Sequence, residues 1–327
     1  MMFTDLDKKL NGRFFTVTNP FRHEAFWKWW KKIPEDDKRT ILEPFAGANS
    51  IVSMIQEIGI DTDWECYDIH PDSNNKVSNC VITKRDTIES FPTGRKVSIT
   101  NPPYLAKNSA KRQGIPYRYP EFDDLYKKCI DVMLANCDFV AAIIPESFIT
   151  AGLWHDRLDA IVSLPCRMFD DTECPVCLAF FSPNDGSDNF SLFVGEEYIG
   201  SFSELMRRND EILGSQNVVN WRMNDPKGNI GVHCIDDTRG EYGIFFTDDF
   251  SDWKVSSSNR SFTVVSGLPD GIEPKGVITK ANRILQSYRL ETKDMFLTSF
   301  RGLRKDGRYR RRLDFGTIKR VLNKATE

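Results

Sequence analysis

The residues best suited to chemistry form the run Asn101-Pro102-Pro103-Tyr104, which follows a short apolar, β-branched stretch at 97–99. Proline has no N–H and a fixed φ, so the two prolines end the predicted strand at Asn101. The strand end therefore carries a carboxamide, rigid backbone carbonyls and an aromatic ring. In open α/β sheets, ligands bind at the carboxyl ends of the strands.

This arrangement suits attack by a weakly nucleophilic amine whose nitrogen is conjugated to a ring. The Asn101 oxygen and a backbone carbonyl beside the prolines can each accept one amine hydrogen and draw the nitrogen toward a tetrahedral geometry. Tyr104 can hold the flat ring by stacking. Taken alone, Asn-Pro-Pro-Tyr is also an ordinary turn sequence, so the rest of the chain has to discriminate between the two interpretations.

A strand, a small-residue turn and a helix are predicted earlier in the chain, at residues 40–43, 46–48 and 51–58. The small side chains of Ala46, Gly47 and Ala48 let a ligand approach the backbone. The turn lacks the G-x-G-x-x-G pattern, so phosphate binding is not supported.

Acidic residues follow the next two predicted strands. Residues 64–68 form a strand that ends at Asp68, where this type of fold places the carboxylate that accepts ribose hydroxyls. A third strand, residues 80–83, runs into Asp86. The order of strand, turn, helix, strand and acid predicts the nucleoside-binding half of an α/β sheet.

In this order and spacing, these residues resemble S-adenosylmethionine-dependent amino-methyltransferases, specifically the N6-adenine DNA methyltransferases. The resemblance extends to about residue 181 and implies a Rossmann-like class I methyltransferase sheet with helices on both faces. It places the fifth to seventh strands at residues 139–144, 160–164 and 176–181. The motifs that carry the resemblance are Glu43-Pro44-Phe45-Ala46-Gly47, Asp68, Asp86 and Asn101-Pro102-Pro103-Tyr104.

The resemblance implies S-adenosylmethionine as the cofactor, with Phe45 to Gly47 along its methionine part, Asp68 on its ribose and Asp86 near its adenine. Ala48 departs from the pattern, since many members carry a second glycine there. The cofactor contacts implied are Thr18, Asn19, Pro20, Glu43, Phe45, Ala46, Gly47, Asp68, Asp86 and Asn101. The catalytic residues implied are Asn101, Pro102, Pro103 and Tyr104, and Phe169 matches the aromatic that stacks on the target base opposite Tyr104.

The cofactor motif precedes the catalytic motif and a long C-terminal region follows both, which resembles the gamma order of this family. Thr100-Asn101 before the prolines favours adenine over the N4-cytosine branch. The resemblance thus implies methyl transfer to N6 of an adenine flipped out of duplex DNA. Enzymes that methylate RNA bases or a protein glutamine use the same tetrapeptide, and a non-catalytic DNA-binding relative is a further alternative.

Composition marks a linker at 183–189 in the 327-residue chain. The resemblance implies a catalytic domain before it, at 1–182, and a DNA target-recognition region after it, at 190–327, which we predict to have mixed α+β structure. Within the last region, residues 204–213 and 278–290 are predicted as helices and 240–247 as a strand. We find no zinc finger and no internal repeat.

Positive charge is concentrated at two places, although the net charge is −3. Residues 105–120 hold four basic residues, no acid and no helical period, which favours a loop that contacts DNA phosphates. Residues 301–327 hold ten basic and three acidic residues, a local excess of +7. The alternative for both is solvated surface. The candidate DNA contacts are Lys107, Lys111, Arg112, Arg118, Arg301, Arg304, Lys305, Arg308, Arg310, Arg311 and Arg312.

Two further segments are predicted as helices. Residues 23–30 are rich in Phe and Trp and follow Pro20, which marks a helix start. This helix would either form a lid over the cofactor or pack on the sheet. Residues 121–136 have the spacing of an amphipathic helix.

A hydrophobic fraction of 40% and a charged fraction of 28% are typical of a soluble globular protein. With no apolar run of membrane-spanning length and no signal-peptide pattern, we expect a cytoplasmic protein.

The eight cysteines are predicted to be reduced, and Cys174-Pro175-Val176-Cys177 is interpreted as core with no metal site. We expect a monomer, with a dimer left open, and any cognate restriction endonuclease would act as a separate protein.

Overall fold

The computed structural model describes most of residues 19–327. Outside the described part are 1–18, 72–74, 78, 165–167, 169–173, 185–186, 215–218, 239–242, 254–255 and 257–258. Two predicted site residues, Thr18 and Phe169, therefore lie outside the described residues. The chain divides into two compact units, Met1–Tyr198 and Ile199–Glu327.

The first unit alternates strands with helices along the chain. Its helices are α1 (Glu24–Lys32), α2 (Ser50–Glu57), α3 (Lys107–Gln113) and α4 (Leu125–Asn136), with short 3-10 turns at Pro20–Arg22, Glu146–Thr150 and His155–Arg157. Its strands are β1 (Thr40–Glu43), β2 (Asp63–Asp68), β3 (Ile82–Lys84), β4 (Val97–Thr100), β5 (Phe139–Pro145), β6 (Leu158–Leu164), β7 (Val176–Phe181) and β8 (Ser191–Val194), followed by β9 (Glu197–Ser201) at the boundary.

These strands form one sheet in the order β3-β2-β1-β4-β5-β7-β6-β8-β9. The pairs β2/β3, β1/β2, β1/β4 and β4/β5 are parallel. Strand β7 is antiparallel to both of its neighbours, β5 and β6. The strand order reverses at β1, since β2 and β3 lie on one side of it and β4 and β5 on the other. This is the doubly wound arrangement that leaves a ligand crevice at the carboxyl ends of the strands. The predicted Rossmann-like class I methyltransferase sheet is confirmed.

The centre of the sheet is covered on both faces. Every residue of β4, β5 and β7 is buried. Parallel strands buried on both faces have continuous apolar sequences rather than alternating ones, as the run 139–144 shows. This rigid centre carries the Asn101 turn directly after β4.

The aromatic helix α1 packs on the sheet, which is the second of the two arrangements that the sequence left open. Trp29 is almost completely buried and its Nε1 donates a hydrogen bond to Phe181 O in β7 at 2.9 Å. The Trp29 and Phe26 rings lie 5.6 and 6.3 Å from the Phe180 ring. The helix therefore contributes to the core of the sheet.

The prediction of an irregular loop over residues 105–120 is wrong for its first half, which forms α3. The helix ends at Gly114, in the left-handed conformation with φ of +68°, as is common at helix ends. Ala110 is the one buried residue of α3. Because a single buried alanine gives no apolar periodicity, the helix left no pattern in the sequence.

The segment 183–189 precedes a strand of the same sheet. Strand β8, at Ser191–Val194, pairs in parallel with β6. The boundary between the two units falls at Tyr198, within β9, rather than at the segment that composition marks as a linker.

The second unit has mixed α+β structure. Its helices are α5 (Phe202–Leu213), α6 (Pro274–Thr292) and α7 (Phe315–Thr326). Strands β10 (Arg222–Met223), β11 (Ile230–His233), β12 (Phe245–Thr247) and β13 (Phe262–Ser266) form an antiparallel sheet in the order β10-β13-β11-β12. Strands β14 (Thr298–Leu303) and β15 (Tyr309–Arg312) form a separate hairpin.

One apolar core joins the sheet and the helices of this second unit. It includes Trp221, Val232, Leu285 and Leu322. The indole N–H of Trp221 donates to Asn323 Oδ1 at 2.7 Å, which satisfies the polar atom of a buried tryptophan. The unit thus has its own hydrophobic core.

Candidate active site

The turn between β1 and α2 contains two residues in the left-handed conformation. Gly47 has a φ of +52° and Asn49 a φ of +59°. The second residue with the left-handed conformation that glycine favours is therefore Asn49. It is not Ala48, the position at which the sequence departs from the family pattern. Asparagine adopts this conformation more readily than most other residues. The Asn49 amide also donates to Cys80 O at 3.0 Å, so the turn is fixed without a second glycine.

Asp68, the last residue of β2, holds this turn in place. Its Oδ2 accepts a hydrogen bond from the Gly47 N–H at 2.8 Å, and its Oδ1 accepts one from the His70 N–H at 2.7 Å. An ionised carboxylate offers about four acceptor positions, so it can bind ligand hydroxyls as well as backbone groups. The predicted ribose-binding carboxylate therefore lies directly beside the predicted glycine turn.

Glu43, the last residue of β1, is completely buried. The Thr100 hydroxyl and the Phe45 N–H both donate to its Oε1, the second at 3.1 Å. Its Oε2 has no hydrogen-bond partner within the described part of the chain. Burial outweighs these hydrogen bonds and, with the nearby charge of Asp68, raises the pKa of Glu43 to about 8. The carboxyl is therefore mostly protonated at neutral pH.

Asp86 follows β3 and caps the turn behind it. Its Oδ1 accepts from the N–H groups of Ile88 and Glu89 at 3.2 and 3.3 Å. The neighbouring Thr87 hydroxyl donates to Pro44 O at 2.8 Å, which ties this turn to the one after β1. Asp86 is thereby fixed at the same sheet edge as Asp68.

The Asn101 turn leaves β4 directly after the last residue that pairs with β5. Pro102 and Tyr104 are buried, and Asn101 and Pro103 are partly exposed. The Tyr104 hydroxyl lies 2.5 Å from Asn101 Oδ1 and 2.6 Å from Ile143 O. The Tyr104 side chain is 8% exposed, so most of the ring that was predicted to stack on a base is covered. The stacking role stays a prediction.

A cleft with a volume of about 440 Å³ opens at this edge of the sheet, within the usual size range of ligand pockets. It is lined by residues from all four motifs that carry the resemblance. They are Phe45, Ala46, Gly47, Asp68, Asp86, Asn101 and Pro103. The fold therefore brings the predicted cofactor residues and the predicted catalytic amide into one cavity.

The sequence analysis missed one wall of this cleft. The segment that follows α3 lines it with Ile115, Pro116, Tyr117, Arg118 and Tyr119. The Tyr119 hydroxyl donates to Glu89 Oε1 at 2.7 Å, which joins this wall to the turn behind Asp86. The signal in the sequence that could have indicated this wall is Ile115-Pro116-Tyr117, where a proline lies between an apolar and an aromatic side chain.

Several predicted contacts do not line the cleft. Asn19 Nδ2 instead donates to Met54 O at 2.8 Å and to Glu57 Oε2 at 3.0 Å, and Pro20 begins a 3-10 turn. Glu43, Pro102 and Tyr104 are also not among the lining residues. Asn19 thus anchors the chain to the end of α2.

The basic residues near the cleft are on the surface. Lys107, Lys111, Arg112 and Arg118 are exposed, and Lys107 Nζ donates to Pro120 O at 3.0 Å. Arg118 differs from the other three because it also lines the cleft.

The basic residues of the β14–β15 hairpin have two different environments. Arg304 pairs with Asp306 at 2.6 Å and Asp236 at 3.4 Å, and the buried Arg311 donates to Ser299 Oγ at 2.6 Å. In the same hairpin, the Arg310 guanidinium donates to Asp236 O, and Arg312 is partly exposed. Three other basic side chains are exposed, namely Arg301, Lys305 and Arg308. Part of the predicted basic surface therefore serves the fold of the second unit.

Asp236 organises those internal contacts. It is almost completely buried and forms paired hydrogen bonds of 2.8 and 2.9 Å with the Arg289 guanidinium. Burial alone would raise the pKa of Asp236, but the Arg289 hydrogen bonds and the Arg289 and Arg304 charges hold it below its usual range. Arg289 also pairs with Asp294 at 2.7 Å.

Within the described residues, no cluster of three or more His, Cys, Asp and Glu side chains has the arrangement of a metal site. Cys177 is buried in β7, and burial raises the pKa of its thiol.

Of the helices that the structure describes, none combines the length and the apolar character needed to span a bilayer.

Comparison of the sequence with protein-family models and with curated proteins gave no match. Among solved structures, the chain is similar to the methyltransferase subunit of a type I restriction-modification system from Streptococcus thermophilus, with 12% identity and a TM-score of 0.39. That match covers 62% of this chain and 54% of the subunit, so the chain spans about half of the subunit's length.

Two further solved structures resemble this chain with comparable sequence identity and TM-score. The M protein of the type I restriction enzyme EcoKI shares 13% identity at a TM-score of 0.38, with coverage of 55% of this chain and 48% of that protein. The DrdV–DNA complex shares 14% identity at a TM-score of 0.40, with coverage of 60% and 28%. The class I methyltransferase fold of this chain is defined by its own strand order and register.

Proposed function

We propose that the protein is a DNA adenine N6-methyltransferase that uses S-adenosylmethionine. The observation that carries this proposal is the single cleft that contains the Gly47 turn, Asp68 and the Asn101 carboxamide. The first two suit a nucleoside cofactor and the third suits an unreactive amine. A methyl donor and a target amine bound at these residues would lie within reach of each other, which supports the proposal.

The cleft fits S-adenosylmethionine in shape and in chemistry. The small residues at 46–48 allow close approach to the backbone, and Asp68 supplies carboxylate oxygens for ribose hydroxyls. Phe45, Ile69 and Ile88 give the cleft an apolar lining for a purine ring. The cofactor, when bound, supplies a methyl group activated on a sulfonium centre. Arg118 in the cleft wall is a candidate partner for its carboxylate.

The chain's own residues have to orient and polarise the target amine. The Asn101 oxygen and a backbone carbonyl beside the prolines each accept one amine hydrogen, which directs the nitrogen lone pair at the methyl group. Pro102 and Pro103 restrict the backbone, so these acceptors stay in place without reorganisation. Catalysis then consists of placement and preorganised hydrogen bonding.

Duplex DNA is the proposed substrate, with the adenine flipped out of the helix at a cost of about a few kcal/mol. Exposed cations lie in both units, at Lys111 and Arg112 in the first and at Arg301, Lys305 and Arg308 in the second. Such side chains contact phosphates and position the duplex, while the second unit would read the sequence. Thr100-Asn101 favours adenine over cytosine. Any cognate endonuclease is proposed to be a separate protein.

The test is transfer of labelled methyl groups from S-adenosylmethionine to unmethylated duplex DNA, with nucleoside analysis of the product. Total RNA and a mixture of unmethylated proteins serve as parallel substrates. We expect N6-methyladenine in DNA. Label in RNA or protein alone would retain the cofactor and overturn the substrate, and cofactor binding without any transfer would indicate a non-catalytic binding protein.

Asn101→Ala removes one acceptor for the amine and is expected to slow transfer by about a hundredfold to a thousandfold, as does loss of a preorganised hydrogen-bond partner elsewhere. Asn184→Ala is the matched control, since Asn184 is an exposed asparagine that pairs with Asp156. Wild-type turnover in Asn101→Ala would rule out the role proposed for this residue.

A further inference from the structure

We propose that Tyr104 is a positioning residue whose hydroxyl fixes the plane of the Asn101 carboxamide, the group that accepts a hydrogen from the target amine. This inference rests on the proposed function and deepens it. It assigns to the hydroxyl of Tyr104 a role that stacking by its ring does not require.

The Tyr104 hydroxyl connects the catalytic turn to the neighbouring strand. It lies 2.5 Å from Asn101 Oδ1 and 2.6 Å from Ile143 O in β5. Ile143 is the residue after Ala142, which pairs with Thr100 at the end of the β4–β5 ladder. Beyond that point the prolines prevent further regular pairing. The hydroxyl therefore holds the turn against β5 where the ladder stops.

Hydrogen counting shows how the hydroxyl constrains the carboxamide. A tyrosine hydroxyl has one hydrogen and accepts further hydrogen bonds through its oxygen. It can donate to Asn101 Oδ1, or it can donate to Ile143 O while Asn101, turned by half a rotation, donates to it through Nδ2. Only the second setting places a hydrogen in both short contacts, and there Tyr104 uses none of the lone pairs of the amide oxygen. The plane of the amide is the same in both settings.

The hydroxyl keeps its hydrogen throughout the working pH range. Burial, reinforced by nearby cysteine thiols and Asp124, raises the pKa of Tyr104 well above its usual value. The hydrogen-bonding role is therefore not lost by ionisation in neutral or mildly alkaline solution.

The surroundings of the ring also favour a role for the hydroxyl. The side chain is 8% exposed, and its ring meets the Tyr126 ring edge-on, with centroids 6.2 Å apart. Stacking on a base needs an open ring face, whereas the two hydrogen-bond contacts of the hydroxyl are already made.

Tyr104→Phe separates the two roles, because it keeps the ring and removes the hydroxyl. We expect the kcat of methyl transfer to unmethylated plasmid DNA to fall by about tenfold to a hundredfold, the range expected when a reacting group is misplaced. The KM for S-adenosylmethionine is expected to stay within about twofold, since the hydroxyl does not line the cleft. Tyr126→Phe, in the neighbouring buried tyrosine, is the matched control. Wild-type kcat in Tyr104→Phe would overturn the proposal.

A double-mutant cycle tests whether Tyr104 acts through Asn101. Residues that act as one unit have strongly non-additive effects, so Tyr104→Phe combined with Asn101→Ala should be about as slow as Asn101→Ala alone. If the two losses multiply, Tyr104 acts independently of Asn101 and the proposal is wrong. Wild-type activity of Asn101→Ala itself would instead refute the proposed function of the amide.

A measurement without catalysis keeps the two failures distinct. In protein labelled with ¹⁵N-asparagine, the side-chain amide signals of Asn101 can be identified by their loss in Asn101→Ala. We expect these signals to shift in Tyr104→Phe and to stay in place in Tyr126→Phe. Unchanged signals in Tyr104→Phe would overturn the positioning role even if no methyl acceptor had been found.

Discussion

Replacement of Glu43 by Gln should make the first unit more stable at alkaline pH. Glu43 is completely buried, and burial raises its pKa from 4.5 to about 8. Between pH 4.5 and about pH 8, the folded protein therefore keeps a proton that the unfolded chain has already released. A carboxyl of this kind contributes its full stability below its unfolded pKa, and that contribution is lost as pH rises through the folded value.

The size of the effect follows from the shift. The pKa of Glu43 rises from 4.5 to about 8 on folding. At about 1.36 kcal/mol for each pKa unit, the free energy of unfolding falls by about 5 kcal/mol between mildly acidic and alkaline solution. Glutamine has the shape of the protonated acid, and its oxygen can still accept from the Thr100 hydroxyl and the Phe45 N–H. Because glutamine does not titrate, the Glu43→Gln protein should escape this loss.

The assay is urea unfolding of both proteins at about pH 5 and about pH 9, with hydrogen exchange of β1 and β4 peptides as a readout of the first unit. We compare the free energies of unfolding of wild type and Glu43→Gln at each pH, and ask how the difference between the two proteins changes with pH. Any constant cost of burying the extra amide hydrogens cancels in this difference. Glu121→Gln, in an exposed glutamate, is the control. Parallel pH profiles for wild type and Glu43→Gln would refute the reasoning.

Three further predictions concern the cofactor, the second unit and DNA. Asp68→Asn should weaken S-adenosylmethionine binding by at least about tenfold in calorimetry, because hydrogen bonds to a charged group contribute about 1.5–3 kcal/mol. Equal affinity would exclude Asp68 as a ribose ligand. Asp236→Ala should lower the free energy of unfolding by about 3–5 kcal/mol in urea, because it leaves Arg289 and Arg304 without their buried partner. A loss below about 1 kcal/mol would contradict that account. The triple replacement of Arg301, Lys305 and Arg308 by Gln should reduce the salt slope of DNA binding by about 2–3 at unchanged Tm. A changed sequence preference would instead mean that these residues contact bases.

The sheet was predictable because its strands carry local patterns. Buried central strands such as 139–144 and 176–181 are continuous apolar runs, and the prolines after Asn101 mark where β4 ends. The positions of Gly47, Asp68 and Asn101 at or just after the ends of β1, β2 and β4 predicted their common sheet edge. Their shared cleft follows from the parallel order of those strands.

Other features depend on residues that are distant in sequence. The Arg304 guanidinium pairs with Asp236, which lies 68 positions earlier, and the backbone N–H of Arg311 donates to the same carboxylate from 75 positions away. No local pattern distinguishes these arginines from the exposed Arg301 and Arg308 in the same basic stretch. The helix α3 was missed for a related reason, since its one buried residue, Ala110, gives no periodicity. The sequence predicts positive charge at these places, and tertiary packing decides which charges remain at the surface.

Polar residues at the strand ends join the predicted cofactor turn to the predicted catalytic turn. Thr100, directly before Asn101, donates to Glu43, which also accepts from the Phe45 N–H at the start of the turn after β1. Asp68 binds the same turn through Gly47. The ends of β4, β1 and β2 are thus joined by hydrogen bonds as well as by the sheet. Because Glu43 is largely protonated, this connection adds little negative charge behind the cleft. Asp68 is then the carboxylate of this network that lines the cleft, where we propose that it binds ribose hydroxyls.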